Sequence, residues 1–268
     1  MNELLFAFHD TDILLTAAGE IPQGTRLPQD IRTWELVTKL NEPVEEGLPE
    51  SGQICCRLYT LGLSPIVPSQ WQLVPLRQAL AMLSPRLRQL AGKAAELVHW
   101  HTHTRYCSVC GSSMRWSANN SKQCPKCGEE QWPHIHTAII VRITRSVELA
   151  DGRQREEILM VRARNFRGNH YGLVAGFLEA GETLEACVRR EVWEETGLQI
   201  KDLRYHSSQA WPFPSQLMVA FTARYASGTL HLQQSELADG GWFDANHLPP
   251  LPDHPSVARR LVEEWLER

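Results

Sequence analysis

The sequence predicts an α+β protein, and three observations carry that expectation. Short apolar runs bounded by Gly, Pro and Asn fill residues 1–75, as strands do. RLRQLAGKAAELVHWH and SVARRLVEEWLE instead repeat apolar residues at three- and four-residue spacing, as helices do. After His134, strand patterns are mixed with two helices, which suggests a sandwich rather than repeated βαβ units.

In order, LLFAF, DILLT, IRTWELV, ICCRLYTLG and WQLVPL read as strands. QALAML is helical and ends at Ser84-Pro85, and the helical connector follows. Residues 104–133 are polar and carry cysteines. HTAIIVRIT, EEILMVRAR and LVAGFL are strands, a helix at about 183–196 stops at Gly197, and LMVAFTARY and GGWFDA are two further strands before the last helix. No internal repeat is visible. The expected domains are 1–95, β-rich with a helical connector; 96–133, a metal ribbon; and 134–268, the sandwich.

Composition narrows the function. The chain has 268 residues, 43% of them apolar, and a formal net charge of −4 with both signs intermingled. No basic field calls for DNA or a membrane surface, and an anionic substrate would need local neutralisation. MNELLFAFHDTD has acids at Glu3, Asp10 and Asp12 and no basic stretch, so neither a signal peptide nor a membrane span is expected. Of seven cysteines, four form two C-x-x-C pairs; Cys55, Cys56 and Cys187 are left over. An odd remainder fits a reducing cytoplasm better than a disulfide framework.

Cys107, Cys110, Cys124 and Cys127 are spaced as C-x-x-C, thirteen residues, C-x-x-C, with Gly111 and Gly128 after each pair. Each pair folds into a turn that aims two thiolates at one point, and four thiolates close a tetrahedral Zn²⁺ site. The segment is too polar to fold alone, so the ion would supply folding energy and is expected to be structural, one per chain. Arg105, Arg115, Lys122 and Lys126 are offset by Glu129 and Glu130, which gives a nucleic-acid role little support.

Residues 176–198 read GFLEAGETLEACVRREVWEETGL. On a helix Glu191, Glu194 and Glu195 point together, and like charges so close destabilise it unless cations bind. Hard oxygen ligands select Mg²⁺ or Mn²⁺. Glu182 is placed to pair with Arg190 and brace the loop, while Leu184, Val188 and Val192 face the core. Cations that neutralise a diphosphate and activate water, with a glutamate taking the proton, would hydrolyse it.

The stretch resembles the Nudix box, G-x5-E-x7-R-E-U-x-E-E-x-G-U with U bulky and apolar, and every specified position matches. The resemblance implies an α/β/α Nudix sandwich and diphosphate hydrolysis. It implies Glu191 and Glu195 as metal ligands, Glu194 as ligand or base, and the Ala175 carbonyl as a further ligand.

Downstream, SQAWPFPSQLM spans residues 208–218. Pro212 and Pro214 fix φ and are expected to present Trp211 and Phe213 stiffly to a flat ring, with Gln209 and Gln216 available to a base edge or carboxamide. The stretch resembles the S-Q-P-W-P-F-P-x-S signature of the NADH pyrophosphatase subfamily, which also includes NAD-capped RNA hydrolases. Ser208, Gln209, Trp211, Pro212, Phe213 and Pro214 match; Ala210 replaces a proline, and Gln216 stands where the final serine belongs, next to Ser215.

That likeness covers nearly the whole chain. It implies a homodimer with the site at the interface, cleaving NAD(H) to NMN(H) and AMP and removing the NAD cap from RNA. It further implies Phe177 as the nicotinamide shelf, Glu236 as a late metal ligand, and Arg77, Trp132 and Ala258 as substrate contacts. Two alternatives stand beside it: a pyrophosphatase for ADP-ribose or dinucleoside polyphosphates, and a zinc-ribbon nucleic-acid-binding regulator with a non-catalytic Nudix domain.

Overall fold

A computed structural model describes residues 3–25, 27, 34–45, 48–62, 67–117, 120–165 and 168–267, with backbone alone at 34, 43–45 and 48–53. The chain divides into two units, Met1–His134 with Pro212–Ser215, and Ile135–Trp211 with Gln216–Arg268.

The first unit opens with β1 (Glu3–His9), β2 (Asp12–Thr16), β3 (Gln23–Gly24), β4 (Trp34–Glu45), β5 (Leu48–Leu61) and β6 (Trp71–Pro75). They form one sheet in the order β4-β5-β1-β2-β6, with β3 beside β1 and the β1–β5 pair parallel. All five expected strands are present; residues 31–33 of IRTWELV lie outside the described residues, and WELV begins β4. α1 (Leu76–Met82) and α2 (Pro85–His103) follow. Ser84 caps α2, its Oγ accepting from Leu87 N, and Pro85 fills the first helical position, where no N–H is needed. α2 runs unbroken to His103, through the boundary expected at 95/96. Phe6, Phe8, Ile13 and Leu15 meet Leu80, Leu90, Ala94 and Leu97 on the helical face of the sheet. Leu5, Ala7, Leu14 and Tyr59 line the other face, together with Leu27 from the β3–β4 link.

Three short strands, β7 (Arg115–Trp116), β8 (Lys122–Gln123) and β9 (Glu130–Gln131), build the ribbon. Lys122, 2% exposed, ties it to α2. Its Nζ donates to the carbonyls of His101 (3.1 Å) and Thr104 (2.7 Å), which the end of the helix leaves open, and lies 4.9 Å from the Trp100 ring centroid.

The second unit holds β10 (His136–Glu148), β11 (Gln154–Ala163), β12 (Val174–Phe177), α3 (Leu184–Thr196), β13 (Gln199–Trp211), β14 (Gln216–Ser227), β15 (Leu237–Asp244) and α4 (Val257–Leu266). Its sheet runs β13-β14-β10-β11-β15, with β12 beside β10 and the β10–β14 pair parallel. β10 is buried on both faces. Ile139, Val141 and Ile143 pack with Val188 and Val192 of α3, and Ile140 packs with Leu261 and Val262 of α4. The result is the α/β/α sandwich. β13 is a strand that the sequence reading lacks. Among the described residues, no helix is long and apolar enough to cross a membrane.

Candidate active site

The acidic helix starts where Thr183 Oγ1 accepts from Ala186 N (3.2 Å) and ends at Gly197 in the left-handed conformation, φ 68°. Cys187, Val188 and Val192 anchor it to the core, and Trp193 on the opposite side is exposed. This seating brings Glu191 and Glu195, one turn apart, to the boundary between core and solvent. Glu191 lies against the strand that carries Gly176: a Cβ at that position would come within 2.0–2.4 Å of its carboxylate atoms. The first glycine of the motif is therefore a steric requirement for seating the acid. Ala175 precedes it on β12, opposite Ile140.

Glu195 is 6% exposed, and its Oε2 is buried with no hydrogen-bond partner. Burial first, and then the charges of Glu191, Glu236 and Glu194, push its pKa up to about 8. Burial also raises Glu191. Glu236, in the β14–β15 connection, thus joins the cluster through its field on both acids. The connection is tied to the end of α3, with His231 N donating to Thr196 O and Gln233 N to Glu195 O, both at 2.9 Å.

Arg190 forms the expected brace and extends it. Nε donates to Glu182 Oε1 (2.7 Å), one terminal nitrogen to Glu182 Oε2 (2.9 Å) and to the Phe177 carbonyl (3.0 Å), and the other to Glu191 Oε1 (2.8 Å) and Glu194 Oε2 (3.0 Å). The Arg190 hydrogen bonds hold Glu182 down to about 2. Hard oxygen donors, an excess of negative charge and one buried carboxylate oxygen without a partner fit a divalent cation.

The four cysteines form a tighter group. Their sulfurs all lie within 4.8 Å of one another, and among the described residues this is the one set of potential ligand atoms gathered so closely. The two knuckles match in their hydrogen bonds: Gly111 N donates to Cys107 O and Gly128 N to Cys124 O, while Cys107 N and Cys124 N donate to Ser112 O and Glu129 O. Backbone and hydroxyl hydrogen bonds from Ser112 lower the Cys110 thiol, whereas burial and its sulfur neighbours raise Cys127, as crowded thiols do when one gives up its proton before the others. The set fits a closed metal site.

The aromatic signature is arranged differently from the expectation. Phe213 is not an exposed platform. It is half-buried on the core of the first unit, with the Arg77 guanidinium 4.6 Å from its ring centroid. An aromatic ring gains more from that burial than from presentation to water. Pro212 is buried beside Gly92, and Ser215 donates to the His134 carbonyl at 3.0 Å. In the second unit, Ala210 and Trp211 pair with Leu217 and Gln216 at the end of the β13–β14 ladder, and Trp211 is half-buried. Gln209 spends its amide on backbone: Nε2 donates to Pro255 O (2.7 Å), and Oε1 accepts from Val257 N (2.6 Å). It clamps the start of α4, which carries Ala258. Phe177 and Trp132 are 53% and 57% exposed, and Phe177 meets His136 edge to face, with centroids 6.4 Å apart. No motif marks Arg164, which bonds the loop bearing Glu236.

Two family models match the chain. A NUDIX domain covers residues 141–265, and an NADH pyrophosphatase-like rudimentary NUDIX domain covers residues 2–100. The NAD-capped RNA hydrolase NudC of Chromobacterium violaceum is 40% identical over 209 residues, 78% of this chain and 75% of that one. Those of Pectobacterium atrosepticum and Deinococcus radiodurans are 39% and 35% identical, over 92% and 99% of this chain and 85% and 88% of theirs.

Proposed function

Since the chain belongs to the NAD-capped RNA hydrolase NudC family of Nudix hydrolases, we propose that it hydrolyses the pyrophosphate of NAD(H) to NMN(H) and AMP and removes the NAD cap from RNA 5′ ends. The observation that carries the reading is the buried, unpartnered Oε2 of Glu195 among three further carboxylates.

Glu191, Glu194, Glu195, Glu236 and the Ala175 carbonyl would hold Mg²⁺ or Mn²⁺. Such cations neutralise diphosphate charge and activate water. Glu194, half exposed on the outer side of the cluster, is placed to accept the proton as water adds to phosphorus and the P–O–P bond breaks. Arg190 holds Glu182, Glu191 and Glu194 in one arrangement, so little reorganisation precedes reaction. Phe177 follows Gly176 directly and offers an exposed face to the nicotinamide ring. Arg77, Trp132, Trp211 and Ala258 complete the proposed substrate contacts. The cysteine group holds Zn²⁺ in a structural role, and the protein acts as a cytoplasmic homodimer with the site at the interface.

The test compares cleavage of NADH, NAD⁺, ADP-ribose and a short NAD-capped RNA in Mg²⁺ and in Mn²⁺. Phe177→Ala should lower kcat/KM for the nicotinamide-bearing substrates about tenfold and leave ADP-ribose nearly unchanged. ADP-ribose cleaved as well as NADH by the parent protein would overturn the substrate assignment.

A further inference from the structure

β11 and β15 pair as far as Ala163 and Leu237, with a register shift between Arg162 and Ala163. The shift passes over Ala238 on β15, a bulge on that strand just where the ladder ends. Arg164 is the first residue beyond the end of β11. Its backbone N–H donates to the Glu236 carbonyl at 2.8 Å, its Nε donates to the Gln234 carbonyl, and a terminal nitrogen reaches Gln234 Oε1 at 3.4 Å. From the other side, the end of α3 holds residues 231 and 233 of the same connection. Glu236 therefore hangs between two anchors, one being the helix that bears Glu191 and Glu195.

We propose that Arg164 is a positioning residue for divalent-cation binding: it fixes the turn at 234–236 so that the Glu236 carboxylate converges on Glu191 and Glu195. This rests on the reading of those carboxylates as cation ligands. Residues that orient a ligand govern affinity as well as the ligand's identity does. A guanidinium suits the task, because its planar fork serves two acceptors of Gln234 at once, whereas an ammonium is a single point charge.

The experiment titrates Mn²⁺ into the metal-free full chain without substrate, following free Mn²⁺ by electron paramagnetic resonance. The Mn²⁺ dependence of hydrolysis is measured alongside. Arg164→Ala should weaken Mn²⁺ binding roughly tenfold and raise the Mn²⁺ needed for half-maximal rate in proportion. The rate should largely recover at saturating Mn²⁺, and the melting temperature of the metal-free protein should hold. Arg164→Lys should resemble Arg164→Ala, and adding Arg164→Ala to Glu236→Gln should cause little further loss. Parental Mn²⁺ binding by Arg164→Ala, or full rescue by lysine, overturns the proposal. Parental binding by Glu236→Gln removes the ligand reading itself, and the proposal with it.

Discussion

The two six-stranded sheets of this chain follow the same path. In each, the first strand runs parallel to the fifth, the third pairs with the first, the fourth and sixth form the edges, and a helix after the sixth covers one face. The difference lies in the connection from third to fourth strand. In the first unit it is residues 25–33, TRLPQDIRT, which contribute the buried Leu27 to the second face. In the second unit it contains α3, which covers the corresponding face with Val188 and Val192 and carries Glu191, Glu194 and Glu195 along its edge. The family model matched over residues 2–100 is called rudimentary; the sheet is kept, and the nine residues of the first unit's connection contain no glutamate. The sheet path recurs in both units, and three of the acids of the proposed site lie on the second unit's connection.

Three changes would break or sharpen this contrast. The largest effect is expected from Glu195→Gln, which removes the buried carboxylate without changing its shape. NADH hydrolysis should fall by roughly a thousandfold or more. Substantial activity in that variant would refute the assignment.

Next is Leu27→Ala. Leu27 is fully buried, so its truncation should destabilise the protein by about 3 kcal/mol, read by urea unfolding. kcat at a temperature where the variant is folded should stay near the parental value. A selective loss of kcat would mean that the first connection contributes more than cover.

The smallest effect is on pH dependence. Glu195 titrates near 4.5 when unfolded and is raised to about 8 in the metal-free fold. Its contribution is therefore fully present below the unfolded value and is lost as pH rises through the folded one. The melting temperature of metal-free protein should drop by roughly a few degrees between pH 5 and pH 8. Mg²⁺ should reverse the drop, and Glu195→Gln should flatten it. An identical slope in that variant would trace the effect to other groups.

Legibility followed the range of the interaction. The cysteine spacing, the box, the stop of α3 at Gly197 and most strands rest on local rules, and they were readable. β13 escaped because QIKDLRYHSSQAW is an edge strand rich in polar residues, with register shifts where it pairs with β14, so its alternation is broken. The burial of Phe213 and the hydrogen bonds of Gln209 were not readable. A half-buried ring and an amide with both ends used are settled by distant partners, the first core and the start of α4. The shared strand order of the two sheets does not follow from the local patterns, because it is a property of pairing and not of composition.

The sequence by itself determined the reaction class, through glutamates that a helix must place together, and the cysteine site, through two turns of fixed spacing. Tertiary structure alone decided that Glu195 is buried without a partner, that Gly176 must lack a side chain to admit Glu191, and that Glu236 is held between α3 and Arg164. Burial, close approach and convergence arise between segments far apart in the chain, and no local pattern encodes them.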